Sequence, residues 1–311
     1  MNDFPKVILN VTTGDNALGS YYPPNGAERL LADNTRSTRF GNIMQRLWRG
    51  KNDRPDPHVI VSATNKVEKL KERIPEVIEE ELNGGKLIKF CNQIKEDIDR
   101  EALDIKVIGH EMIHLMQEVR VGTPSLWRDI YNNQAALPEL ISYVPLIKFF
   151  QEVEAYLGSL NTINGRTGST TLDVLSIPIA KLMAITTREI EDQDLINLGP
   201  LPFVAMVMSG IPVEEVHELI KMRTTGNTDF SINFLNMREN TLSRLDAIPD
   251  NPTGYFEEKH EFYMSAIKYS RSSLDEIAEV SMQCIAERTL QGTLDESKLL
   301  TSRNGHLQRR N

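Results

Sequence analysis

The chain has 311 residues, of which 40% are apolar and 25% charged, so it can bury a large core in one domain or in two closely packed ones. Acidic residues outnumber basic ones 44 to 35. The resulting formal charge of −9 argues against the clustered Lys and Arg that hold nucleic-acid phosphates, and no nucleic-acid partner is expected.

The terminal and apolar segments predict neither a leader nor a membrane span. The N-terminus has Asp3 and Pro5 where a secretory signal needs a basic stretch and then an apolar one. The longest apolar stretch, 198–213, contains several prolines and is shorter than the roughly 20 residues of a membrane helix. We therefore expect no membrane partner, and a protein that is cytoplasmic or is exported without a recognisable signal, as some toxins and effectors are.

Strand signals are confined to the beginning of the chain, where 6–13 and 58–65 are short β-branched runs closed by turn-forming residues. From residue 65 onward, apolar residues recur at three- and four-residue spacing, which predicts helices to about residue 295. The expected fold is α+β and predominantly helical, with a small N-terminal sheet packed on a helix at about residue 110 and a C-terminal helical lobe. This divides the chain into a core over 1–165, a helical region over 166–295 and a disordered tail over 296–311.

Residues 107–116 read Val-Ile-Gly-His-Glu-Met-Ile-His-Leu-Met, with His110 and His114 four positions apart. On a helix these two side chains share a face, so both can bind one tetrahedral Zn²⁺, and Glu111 can reach a zinc-bound water as its base. Zinc lowers the pKa of such a water to about 7, and a carboxylate can then take its proton. Two unpaired imidazoles on a mostly buried, apolar helix would be costly, and the alternative to a metal site is a pair of core histidines satisfied by hydrogen bonds.

The segment 107–116 resembles the signature of the zincin metallopeptidases. The resemblance implies one Zn²⁺ per chain, Glu111 as the catalytic residue, and a peptide or protein as the substrate. It also implies a third ligand, whose position separates the branches of that superfamily. The metzincin pattern is excluded because Gln117 and Arg120 stand where that branch has Gly and His.

The Glu-type branch, or gluzincins, matches better, because its second helix carries Glu-x-x-Ala and Glu152 precedes Ala155 by three residues. The resemblance favours Glu152 as the third zinc ligand, with Glu154 as the next choice. In many relatives the residue four positions after that ligand is an Asp that orients a ligand histidine, but Tyr156 stands here. A remote third choice is Asp129, since an Asp-type branch uses an aspartate shortly after a Gly-Thr pair.

Three further features stay open at the level of sequence. Glu118 is too far along the helix from His110 to share its metal, and we expect a surface acid or one that supports the site indirectly. The segment 58–62 is a candidate edge strand for pairing with an extended substrate. An oxyanion-stabilising side chain is also expected from the resemblance, and the available candidates are Tyr143, Tyr156, His217, His260 and Tyr263.

Two other classes of protein compete with a peptidase. A di-iron carboxylate bundle would use Glu-x-x-His on two helices, and the chain has that pattern at Glu111–His114, Glu214–His217 and Glu257–His260, with Glu189 or Glu191 as an intervening acid. The charged surroundings of the second and third pairs favour exposed helix faces instead. The other class is a non-catalytic helical binding protein with a residual zincin site, although the intact Glu111 argues against it. The oligomeric state is not predicted.

Overall fold

The computed structural model describes residues 6–8, 19–22, 59–62, 100–167, 199–247 and 258–303. The longer α-helices among them are α1 (Arg100–Val121), α2 (Thr123–Asn132), α3 (Tyr143–Thr167), α4 (Leu201–Met208), α5 (Val213–Thr224), α6 (Phe230–Asp246) and α7 (His260–Leu290). A four-residue helix α8 (Leu300–Arg303) and two 3₁₀ turns, Pro138–Leu140 and Glu296–Lys298, complete the helical elements described.

Three short segments of the N-terminal part are extended: β1 (Lys6–Ile8), β2 (Gly19–Tyr22) and β3 (Val59–Ser62). Their order is β1-β3-β2, with β3 parallel to β1 and antiparallel to β2. Lys6 pairs with Val59 in the first register and Gly19 with Ser62 in the second.

Gly122 and the carboxylate of Glu118 set the boundary between α1 and α2. Gly122 has a φ of 67°, a left-handed conformation that ends α1 at little steric cost because glycine has no Cβ. Helix α2 then starts at once, and the Glu118 carboxylate accepts hydrogen bonds from the Ser125 backbone N–H at 2.9 Å and the Ser125 hydroxyl at 2.6 Å. An acid of one helix thus caps the next, and the two helices meet at a fixed angle.

Helix α3 lies at the centre of the described helices, and α1 and α7 pack against it. Its apolar side chains recur at three- and four-residue spacing and are almost fully buried, namely Leu146, Phe149, Phe150, Val153 and Leu157. Complete burial of an aromatic or aliphatic side chain contributes about 1.5–3 kcal/mol, so this stripe fixes the rotation of α3 about its axis. The polar residues that flank the stripe are thereby directed towards α1 and α7.

The sequence predicts an α+β fold with a small N-terminal sheet packed on the helix that carries the histidines. This prediction is wrong for the three long stretches that the structure describes. The stretches 100–167, 199–247 and 258–303 contain helices and turns but no strand. The buried core among these residues extends from Leu126 to Leu299 and comes from helices and their connections. The long helical stripes of the described residues form this core by packing on one another.

Residues on both sides of position 165 contribute to that one core, among them Phe150 and Phe203. The division of the chain at 165 stays a prediction. Of the predicted tail 296–311, residues 296–303 form a 3₁₀ turn and α8, and the rest lies outside the described residues. None of the helices in the described stretches is both long and apolar enough to cross a membrane.

Candidate metal centre

His110 and His114 lie one turn apart on α1, and their side chains converge. Their Nε2 atoms are 3.1 Å apart, and the two rings meet edge to face with centroids 4.8 Å apart. Only 14% of the His110 side chain and 12% of the His114 side chain are exposed. The i, i+4 spacing therefore places both imidazoles at one partly buried point, as the sequence predicts.

Glu152 reaches the same point from α3. One carboxylate oxygen lies 3.3 Å from Nε2 of His110, and the other lies 3.5 Å from Nε2 of His114. The close approach of α3 to α1 depends on small residues: Ala155 is fully buried, and a Cβ at Gly158 would be only 2.8 Å from Cδ1 of Ile113. Small residues of α3 thus let its backbone approach α1 closely enough for Glu152 to meet the histidines.

The three side chains fit a zinc ion by donor chemistry and by distance. Two imidazole nitrogens and one carboxylate oxygen are the usual ligands of a catalytic zinc, with the fourth position open. Tetrahedral ligands at 2.0–2.1 Å from a zinc ion lie about 3.4 Å from each other, and the three pairs observed here are 3.1, 3.3 and 3.5 Å apart. Within the described stretches this is the only group of three or more His, Cys, Asp or Glu residues with that proximity.

The metal-free cluster is electrostatically coupled. Burial opposes protonation of His114, but the charge and hydrogen bond of Glu152, with a contribution from Glu111, raise the pKa of His114 to about 9. Burial likewise opposes ionisation of Glu152, but the two histidines hold the pKa of its carboxyl far below the usual range. A proton on His114 thus occupies, in part, the electrostatic role that a cation would have.

Glu111 and Tyr156 lie beside the cluster. Only 6% of Glu111 is exposed, and its charge acts on both His114 and Tyr156. The Tyr156 ring packs edge to face on His110 with centroids 4.5 Å apart. Burial, followed by the charges of Glu152 and Glu111, raises the pKa of Tyr156 well above its usual range. The phenol therefore stays protonated and remains a hydrogen-bond donor next to the candidate ligands.

The other oxyanion candidates lie elsewhere. His217 accepts or donates a hydrogen bond at Nδ1 with the Tyr269 hydroxyl at 2.9 Å, and its ring packs on Phe150. The Tyr263 hydroxyl donates to the Met208 carbonyl, His260 is exposed at the start of α7, and Tyr143 packs at the edge of the core. Of the five candidates, Tyr156 is the one in contact with a cluster histidine.

Glu154, the alternative third ligand, has different partners. Its side chain is only 5% exposed and forms ion pairs with Arg120 at 3.3 Å and with Arg271 at 2.8 Å. It also accepts a hydrogen bond from the amide of Gln117. The structure brings Glu152, and not Glu154, to the histidines.

Asp129 and Glu118 are structural acids. Asp129 accepts hydrogen bonds from the backbone N–H groups of Leu300 and Thr301 and from the Thr301 hydroxyl, all at 2.8–2.9 Å, so it caps α8. Glu118 is 1% exposed and not at the surface. Because a carboxylate with several good donors can be buried at modest cost, α2 and α8 each begin on one of these two acids.

The second Glu-x-x-His pair of the di-iron hypothesis, Glu214 and His217, lies on α5. It does not join the cluster of His110, His114 and Glu152. Glu189, Glu191 and Glu257 lie outside the described residues, as do residues 9–13, 58 and 63–99. The prediction that 58–62 is an edge strand is wrong for its described part, because β3 (Val59–Ser62) lies between β1 and β2.

Sequence reasoning used Gln117 only to exclude one branch of the superfamily and did not identify it as a partner of His114, to which it hydrogen-bonds at 2.9 Å. The i, i+3 spacing on one helix was a usable signal for this contact. Arg271 was missed as a partner of Glu154 because residues 117 positions apart leave no local pattern.

Comparison with known proteins gives no relative: no protein-family model, no curated protein and no solved structure matches the chain.

Proposed function

We propose that this protein is a zinc-dependent hydrolase that cleaves peptide bonds. The observation that carries the proposal is the convergence of His110, His114 and Glu152 with mutual donor distances of 3.1–3.5 Å. This spacing suits a single tetrahedral ion with one position left for water or substrate.

Zinc supplies Lewis acidity at such a site, acidifying water and polarising a substrate carbonyl. The protein residues then have distinct roles. Glu111 follows His110 directly on α1 and is nearly buried, so its carboxylate is the base that takes a proton from the attacking water and delivers it to the leaving amine. Tyr156, protonated and in contact with His110, is the donor that stabilises negative charge on the substrate oxygen.

A peptide or protein substrate follows from the resemblance of 107–116 to the zincin signature. The geometry supports hydrolysis more generally, since the same ligands and base serve several kinds of acyl transfer. The absence of any matching protein leaves the substrate to be found by experiment, with unbiased peptide libraries as the first choice.

Metal content and activity together test the proposal. The purified protein is dialysed against a chelator, reloaded with Zn²⁺ or Fe²⁺, and analysed for bound metal and for cleavage of a peptide library by mass spectrometry. We expect one zinc per chain and cleavage that is lost with the metal and restored by zinc. Two irons per chain would instead support the di-iron bundle, and the absence of tightly bound metal would support a non-catalytic binding protein.

A further inference from the structure

Gln117 lies between the candidate metal ligand His114 and the buried acid Glu154. The Gln117 side chain is 1% exposed, and its amide nitrogen donates to the Gln151 carbonyl at 3.1 Å and to Oε2 of Glu154 at 2.9 Å. Its amide oxygen lies 2.9 Å from Nδ1 of His114. Both hydrogens and the oxygen of the Gln117 amide therefore take part in hydrogen bonds.

These contacts fix the orientation of the amide. A backbone carbonyl and an ion-paired carboxylate can only accept hydrogen bonds, so the atom that faces them must be the NH₂ group. The oxygen must then face His114, and it can only accept. Nδ1 of His114 therefore carries a proton, so Nε2, which faces His110 and Glu152, is the nitrogen that a metal ion can bind.

Glu154 is itself held in place by charge. Arg120 on α1 and Arg271 on α7 bind its two oxygens at 3.3 and 2.8 Å, so both oxygens of Glu154 already accept from cationic donors. Arg120 also lies 3.5 Å from Asp275 on α7. The orientation of the His114 imidazole on α1 thus depends on the Glu154 carboxylate of α3, which Arg271 of α7 binds.

We propose that Gln117 is a positioning residue for the metal: anchored by Glu154, it fixes His114 as the Nδ1–H tautomer so that Nε2 binds the ion. The inference rests on the metal centre of the proposed function but not on hydrolysis. It assigns to Gln117 a part that an aspartate has in many of the peptidases whose signature 107–116 resembles. Loss of such an outer partner lowers metal affinity by roughly 10- to 100-fold.

The test compares two substitutions of similar side-chain length, of which only one can accept a hydrogen bond from His114. Gln117→Met keeps length and helix propensity but has no effective acceptor, while Gln117→Glu keeps the acceptor and loses the NH₂ donor. Both lose the bonds to Gln151 and Glu154, and Gln117→Glu also places a second carboxylate beside Glu154, so the free energy of unfolding of each variant is measured with its zinc affinity. Glu118→Gln, at a buried carboxylate one position further along α1, is the control.

Zinc affinity is measured on the full chain by competition with a chromophoric chelator, after circular dichroism shows that each variant is folded. We expect roughly 10- to 100-fold weaker binding by Gln117→Met, and binding within about threefold of wild type by Gln117→Glu and Glu118→Gln. Equal binding by Gln117→Met and wild type, or equal weakening in Gln117→Met and Gln117→Glu, would overturn the inference.

A second measurement needs no variant. In the zinc-loaded protein labelled with ¹⁵N-histidine, we expect the proton of His114 on Nδ1 and the metal on Nε2. Coordination through Nδ1 would contradict the inference even if Gln117→Met fails to fold. Wild-type protein that binds zinc in this way yet cleaves no peptide would refute the proposed hydrolase and leave the role of Gln117 intact.

Discussion

Glu152 and Glu154 lie two positions apart on α3, yet their carboxylates have opposite kinds of partner. Glu152 faces two imidazoles at 3.3 and 3.5 Å, whereas Glu154 is bound by two guanidinium groups and an amide. A step of two residues turns a side chain by about 200° around a helix, so α3 directs one acid to each side of its buried stripe. One is placed as a candidate metal ligand and the other as a structural anion.

Substitution of these two acids should weaken zinc binding to very different degrees. Glu152→Ala is expected to weaken zinc binding by more than 100-fold, because a ligand is lost and not merely its support. Glu154→Ala is expected to lower the free energy of unfolding of the metal-free protein by about 1–3 kcal/mol, because Arg120 loses its carboxylate partner. Zinc titration and urea unfolding of both variants measure the two effects. Retention of zinc by Glu152→Ala with loss in Glu154→Ala would reverse the assignment.

Asp129 offers a test of the distinction between capping and metal binding. Asp129→Ala removes the acceptor of two backbone N–H groups and one hydroxyl at the start of α8. Stability should fall by about 1–3 kcal/mol while zinc affinity stays unchanged. Thermal unfolding and chelator competition on the same sample provide both values. A tenfold or larger loss of zinc affinity in a variant that remains folded would show that Asp129 belongs to the metal site.

Zinc binding should depend on pH in a defined window. Glu152 raises the pKa of His114 from 6.5 to about 9 in the metal-free protein, so below that value zinc must displace a proton. Apparent zinc affinity is therefore expected to rise about tenfold per pH unit between pH 7 and 9 and to level off above. In the absence of metal, the stabilisation that His114 gains from Glu152 is complete below pH 6.5 and is lost as pH rises through about 9. A zinc affinity that is constant between pH 7 and 9 would contradict this coupling.

Tyr156 is expected to act in the reaction and not in metal binding. Tyr156→Phe keeps the ring that packs on His110 but removes the hydroxyl. We expect kcat to fall by roughly 10²- to 10³-fold, with zinc affinity within about threefold of wild type. Tyr263→Phe is the matched control, since it removes a buried hydroxyl that donates to a backbone carbonyl away from the site. Equal losses of kcat in the two variants would assign the effect of Tyr156→Phe to stability.

The sequence was most informative where the contact is local. His110 and His114 follow from the i, i+4 step of one helix, and the stripe of α3 that includes Phe149 and Phe150 follows from its spacing. The prediction of an α+β class is wrong for the described helical stretches. It treated two β-branched runs as a whole layer of the fold, whereas the described core comes from helix packing. Short extended segments carry too little buried surface to decide a fold class.

Non-local contacts were harder to predict. The choice between Glu152 and Glu154 depends on the rotation of α3, which is set by packing against α1 and α7 and not by its own sequence. The burial of Glu118 is explained by Ser125, seven residues away and across a helix break at Gly122. The anchoring of Glu154 by Arg271 joins two distant helices. None of these contacts follows from a periodic spacing of residues, which is the signal that a single sequence provides.

The central claim is tested most directly by comparing peptide cleavage by Glu111→Gln with cleavage by wild type. Both proteins are loaded with zinc and assayed on a peptide library. Glu118→Gln, a change of the same kind on the same helix, serves as the control. We predict one zinc per chain in all three proteins, cleavage by wild type and Glu118→Gln, and a loss of roughly 10²- to 10⁴-fold in kcat for Glu111→Gln. Cleavage by Glu111→Gln at the wild-type rate would contradict the proposed mechanism.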